Sequence, residues 1–253
     1  LLKVVRILPN SALVAVLIAL FCLSGSRPAP AQEHIDFGGT QSFGFTTSYS
    51  PDSSHILIGE SEGRRTWTVG FEYARLLRQG RHFRLDYEGS VLPFYEEFDP
   101  AVIGLTYSIL GVTSTVPENP PVRVTTINRG PIGSIGEPHG QSAPIYAIYG
   151  NMNTYGGALA PLGARATLFQ HHSIQPSFSV DLGFVVATRD IPIDSSDQFN
   201  YMFSFGPGVQ IFSTPEASIR IEYIYRHISN AGQGNVNPGV DMGTFRLTFL
   251  RSR

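Results

Sequence analysis

Cysteine and lysine are almost missing from this chain. The single cysteine is Cys22 and the single lysine is Lys3, both within the first thirty residues. Without a second cysteine there is no disulfide framework, which argues against a small, stapled secreted domain. Basic tracts are missing too: nothing longer than Arg64-Arg65 occurs, so nucleic acid is not an expected partner. Long apolar runs are confined to the N-terminus. Beyond it, none approaches the roughly 20 residues that a membrane-crossing helix needs. A membrane location for the remainder therefore requires a closed barrel, the other fold that satisfies its backbone in lipid.

The N-terminus has the layout of a targeting segment. Lys3 and Arg6 precede the apolar stretch from Ala12 to Leu23, and Ala29-Pro30-Ala31 supplies small residues where a signal peptidase reads. Residues 1–31 are thus expected to be a signal peptide cut after Ala31. The bulky Leu20-Phe21 ahead of Cys22 disfavours lipid attachment there. The 222 residues from Gln32 to Arg253 are expected to form one domain, with 15 arginines against 20 carboxylates, a formal charge of −5.

Period-two alternation dominates that domain. Trp67, Val69, Phe71 and Tyr73 share one face of a segment whose other face carries Thr66, Thr68, Gly70 and Glu72. Phe83, Leu85, Tyr87 and Val91 stand opposite Arg84, Asp86, Glu88 and Ser90. The same pattern runs through 177–187, 199–212, 217–229 and 240–250; adding 41–50 and the less regular 156–169 makes eight strands. A soluble sandwich also alternates. Here, however, the polar faces carry charges of both signs, suited to a narrow lumen, and aromatics recur near strand ends as interfacial girdles do. The expected fold is therefore all-β, an antiparallel transmembrane β-barrel of eight strands. Short connections at 78–81, 170–175 and 213–216 fall on the periplasmic side, and longer ones on the outside. The longest, at about 96–155, is expected to be external. Strand character at 101–110 and 121–126 within it suggests an outside hairpin or a ninth and tenth membrane strand, since sixty structureless residues would be unusual.

The chemistry gathers near the C-terminus, in Tyr225-Arg226-His227-Ile228-Ser229-Asn230 and Asn237-Pro238-Gly239-Val240-Asp241. His227, Ser229 and Asp241 all share parity with the apolar, outward faces of their strands. A carboxylate and an imidazole facing lipid are costly unless partnered, which singles them out. Ser229 as nucleophile, His227 as base and Asp241 as the acid that orients the imidazole make an acyl-transfer set. Asn230 and Gly232 are candidates for an oxyanion hole. Arg64, Arg65 and Arg189, near the external rim, are candidates for contacts to lipid phosphates. No metal site is expected: His171-His172 has no carboxylate or cysteine close in sequence. The acidic cluster Glu96, Glu97 and Asp99 reads as a solvated loop.

These residues resemble the outer-membrane lipid A 3-O-deacylases, the acyloxyacyl-hydrolase-like proteins. That family's pattern is similar to His227-Ile228-Ser229-Asn230 followed by Asn237-Pro238-Gly239-Val240-Asp241. Further likeness lies in Gly63-Arg64-Arg65-Thr66-Trp67-Thr68-Val69-Gly70 and Thr188-Arg189-Asp190-Ile191-Pro192. The resemblance implies an eight-stranded barrel in the outer membrane of a Gram-negative bacterium. It would act without cofactor on lipid A or lipopolysaccharide in the outer leaflet and remove the 3-hydroxyacyl chain at position 3. His227 and Ser229 carry over as base and nucleophile, and Asn230 as oxyanion donor. Three departures stand out: Asp241 where the best-known members have Glu, the long 96–155 connection, and a final Leu250-Arg251-Ser252-Arg253 without a terminal aromatic. An outer-membrane phospholipase and a non-catalytic, porin-like barrel are the alternatives that the residues leave open.

Overall fold

The computed structural model describes residues 37–136 and 142–253. The expected signal peptide therefore lies outside the described residues. Ten strands follow one another: β1 (Gln41–Ser50), β2 (Arg65–Gln79), β3 (Phe83–Ile109), β4 (Val112–Arg123), β5 (Gly133–Gly136), β6 (Ser142–Leu168), β7 (Ile174–Ile191), β8 (Asp197–Phe212), β9 (Ala217–Ser229) and β10 (Val240–Ser252). All eight strands anticipated from alternation are present, and their partners are antiparallel. The sheet order is β4-β3-β2-β1-β10-β9-β8-β7-β6-β5, and β3 also pairs with β6. That last pairing returns the ladder on itself, so eight strands each have neighbours on both sides and β4 and β5 are appended.

The 96–155 segment is not a loop. It lengthens two members of the ladder. β3 and β6 stay paired from Phe83↔Leu168 to Tyr107↔Ile145. The last β2–β3 partners are Arg65↔Phe98, and β6 first meets β7 at Gly156↔Ala187. Beyond those positions β3 and β6 run on together, flanked by β4 and β5. Glu97 and Asp99 consequently sit inside a strand and are buried, not solvated as their sequence clustering suggested.

Burial is inverted relative to a water-soluble core. Along β9, Ile219, Ile221 and Tyr223 are exposed while Arg220, Glu222 and Arg226 are buried; Phe245 and Phe249 on β10 are exposed while Arg246 is buried. The inward faces are held by ion pairs. Arg220 reaches Glu222 with Nε at 2.9 Å, Glu88 with Nη1 at 2.8 Å and Glu72 with Nη2 at 2.5 Å. Arg246 joins the same cluster through Glu222 at 2.6 Å and Asp181 at 2.9 Å. These residues come from β2, β3, β7, β9 and β10, so one polar cluster ties together strands that are far apart in sequence. Removing one member of such a set leaves buried charge under-compensated, at a cost of about 3–5 kcal/mol.

Candidate active site

His227 and Asp241 are directly opposed partners on β9 and β10. Opposed residues on adjacent strands share a face. Here the shared face is the outward one, as their parity requires. His227 Nδ1 lies 2.6 Å from Asp241 Oδ1. With Nδ1–H donating to the carboxylate, Nε2 is left as the basic nitrogen. Asp241 is fully buried although it points outward. What encloses it is the β1–β2 connection, residues 51–64, which folds down over the start of β10.

That connection supplies two of the carboxylate's four donors. The backbone N–H groups of Leu57 and Ile58 reach Asp241 Oδ2 at 2.6 and 2.8 Å. The Tyr225 hydroxyl donates to Oδ1 at 2.7 Å, beside the imidazole. The connection is fastened to its surroundings on both arms: Ser54 N–H donates to Asp241 O, Glu60 N–H to Pro238 O and Ser61 N–H to Gly239 O. Gly59 is needed for this approach. A Cβ built there would stand 2.6 Å from the Asp241 backbone nitrogen and 2.8 Å from Oδ1. Gly239 plays the same part on the other side: its φ is +58°, and a Cβ would sit 3.0 Å from His227 Cε1. Thus an acid one methylene shorter than glutamate is matched by a close-packed glycine backbone.

Ser229 occupies the next outward position of β9, opposite Tyr201 of β8. Its Oγ receives the Ala231 N–H at 3.4 Å. No hydrogen bond joins it to His227 among the described residues, so two of the three expected catalytic residues are in contact and the third stands beside them on the same face. A nucleophile–base hydrogen bond that tightens only when substrate arrives is common in such sites.

The oxyanion candidates are placed differently from expectation. Asn230 is buried, with its backbone N–H donating to Asn237 Oδ1 at 3.2 Å and its Nδ2 to Val236 O at 2.9 Å. Gly232 N–H donates to Asn230 Oδ1 at 2.9 Å. Both residues shape the 230–239 loop. The N–H directed at Ser229 Oγ instead belongs to Ala231, a residue with a φ of +53°.

The three arginines divide. Arg64 is buried and does not sit at the rim. Its Nε pairs with Asp99 at 3.2 Å and Glu97 at 3.3 Å, and its Nη atoms donate to the carbonyls of Glu62, Thr125, Val124 and Pro192. With those donors engaged, it braces the β1–β2 connection. Arg65 is half-buried and stacks its guanidinium 4.9 Å over the Phe98 ring. Arg189 is exposed at the end of β7. Sequence reasoning missed Leu57, Ile58, Gly59 and Tyr225. Tyr225 shares the outward parity of His227, a signal that was available. The others act through backbone groups, which no side-chain pattern announces.

Residues 137–249 match the family model described as Lipid A 3-O-deacylase (PagL). No curated protein sequence matches. Among solved structures, the outer membrane enzyme PagL aligns at 11% identity and a TM-score of 0.44, covering 84% of this chain and 99% of that one. Neisserial surface protein A aligns at 11% identity and 0.41, covering 84% and 97%. The outer membrane protein AlkL aligns at 10% identity and 0.30, covering 90% and 94%. Over the matched residues, which include His227, Ser229 and Asp241, the chain is a distant homologue of the lipid A 3-O-deacylase family.

Proposed function

We propose that residues 32–253 form a closed transmembrane barrel in the outer membrane, and that it hydrolyses an ester of lipid A in the outer leaflet. One observation carries the reading: a carboxylate on the outward, apolar side of a strand is enclosed and bonded to an imidazole at 2.6 Å, with a serine two residues along the same face. Structural decoration does not need an ionised acid at that position, where burial is costly. The exposed apolar band and the ion-paired interior support the membrane location.

In the reaction, Ser229 Oγ attacks the ester carbonyl carbon while His227 Nε2 takes the hydroxyl proton. Asp241 holds the imidazole in the tautomer that leaves Nε2 basic, and stabilises the imidazolium that forms. The Ala231 N–H, which reaches Ser229 Oγ at 3.4 Å in the resting site, is the oxyanion donor assigned in this reading. Collapse breaks the acyl–oxygen bond, and His227 returns its proton to the departing sugar oxygen. Water, deprotonated by the same nitrogen, then releases the acid and regenerates Ser229. The scissile ester is the one carrying the 3-hydroxyacyl chain at position 3, as in the homologous family.

Mass spectrometry of lipopolysaccharide after incubation with the folded protein and with its Ser229→Ala form tests this. Loss of one 3-hydroxyacyl chain from position 3 with the wild type alone is expected. An unchanged lipid A, or a chain lost equally with both proteins, would overturn the assignment. Release of fatty acid from added glycerophospholipid in preference to lipid A would move the substrate class to phospholipids.

A further inference from the structure

The connection that clamps Asp241 has a second face. Ile56, Leu57 and Ile58 are three consecutive aliphatic residues that are 45%, 65% and 69% exposed. The same two residues that turn their N–H groups in to the carboxylate turn their apolar side chains out. Of the polar neighbours, His55 Nδ1 binds Gly59 O at 2.9 Å and its Nε2 meets Glu62 at 3.1 Å. Ile56–Ile58 itself carries no charge, and the exposed Asp52 and Glu60 flank it in sequence.

Amphipathic aromatics stand on the same outward face, two to four positions along the strands from Asp241. Tyr49 and Trp67, opposed across β1 and β2, are both exposed, and the Trp67 indole N–H donates to Thr47 Oγ1. The Tyr225 hydroxyl meets Asp241, and the Tyr223 ring covers Gly243, two positions further down β10. Tyrosine and tryptophan at one level are characteristic of the boundary between headgroups and hydrocarbon. Phe245 lies in register with Tyr49 and Tyr223, and Phe249 continues the apolar face four positions further along β10.

We propose that the Ile56–Ile58 tip inserts into the hydrocarbon of the surrounding outer leaflet, and that this insertion holds the Leu57 and Ile58 N–H groups on Asp241. The occupant is the bulk acyl chains around the barrel. Leu57 and Ile58 are thus positioning residues that make the site's competence depend on a lipid environment. The proposal rests on the membrane and ester-hydrolase reading above. The tip itself, though not Asp241, lies outside residues 137–249, the segment matched to the family model.

Two measurements on the full chain separate its failure from failure of that reading. First, a nitroxide on Leu57→Cys in a Cys22→Ala background, reconstituted in phosphatidylcholine vesicles, should show high accessibility to oxygen and low accessibility to a water-soluble nickel chelate. The reverse would overturn insertion whatever the enzyme's activity. Second, the Ile56→Ser, Leu57→Ser, Ile58→Ser triple variant keeps its backbone donors and removes the apolar side chains. Its rate on lipopolysaccharide in vesicles should fall about tenfold or more, the scale on which a loosened catalytic group is felt. Its rate on a monomeric, water-soluble short-chain ester in detergent should fall by a smaller factor than its rate in vesicles. An equal fall on both substrates would mark the tip as merely structural, and an unchanged vesicle rate would refute the coupling. A wild type inactive on both esters, with the nitroxide in hydrocarbon, would leave insertion standing and remove the hydrolase reading.

Discussion

Gly59→Ala probes how the acid is held. The added Cβ would stand 2.6 Å from the Asp241 backbone nitrogen, 2.8 Å from Oδ1 and 2.9 Å from Cγ. The backbone nitrogen cannot retreat, because Asp241 is locked in register with His227 on β9. The β1–β2 connection must therefore lift by about 0.8 Å to reach ordinary contact near 3.4 Å. The Leu57 and Ile58 bonds at 2.6 and 2.8 Å then lengthen to about 3.4 and 3.6 Å, the first weak and the second lost. Each is charge-assisted and worth about 1.5–3 kcal/mol, part of which water at the interface restores. The carboxylate would remain charged but lose its orientation toward His227 Nδ1. A misplacement approaching 1 Å in a catalytic group costs on the order of 100-fold in rate. The assay is chain release from lipopolysaccharide by mass spectrometry, alongside heat-modifiable gel mobility to confirm that the barrel is folded. A Gly59→Ala protein that is folded and as fast as wild type would refute the clamp.

Other outcomes follow from the same geometry. Asp241→Asn keeps the shape but removes the charge and favours the wrong imidazole tautomer, so ester hydrolysis should fall by about 10³–10⁴ with mobility on gels unchanged. Asp241→Glu has no room beneath Gly59 and should be slower than wild type despite its family precedent, as measured in the same assay. Arg220→Ala takes from Glu72 its guanidinium and leaves Glu88 and Glu222 with only Arg165 and Arg246, and should lower unfolding stability by about 3–5 kcal/mol in urea titrations, with Ser229 untouched.

The strands were legible because inward and outward positions differ so sharply in chemistry. Ile219, Ile221 and Tyr223 against Arg220, Glu222 and Arg226 leave one register possible. The extension of β3 and β6 was not, because the alternation weakens beyond Phe98 and Pro100, Pro117, Pro120, Pro121 and Pro144 read as breaks; the pairing that overrides them joins residues 38 or more apart. His227, Ser229 and Asp241 were readable from parity, since an ionisable residue on an apolar face is conspicuous. Arg64 was misread as a rim charge because its partners Glu97 and Asp99 are distant in sequence. The donors to Asp241 from Leu57 and Ile58 left no trace in the sequence: a backbone N–H is the same at every residue, and the aliphatic side chains beside it suggest something else.

The central claim is that Ser229 is a nucleophile activated by His227. Its most direct test is labelling of the folded protein in vesicles with an alkyl fluorophosphonate, followed by peptide mass mapping. A phosphonyl adduct on Ser229 in wild type, lost in His227→Ala, is the predicted result. An adduct on another residue, or an equal yield on Ser229 without His227, would contradict it.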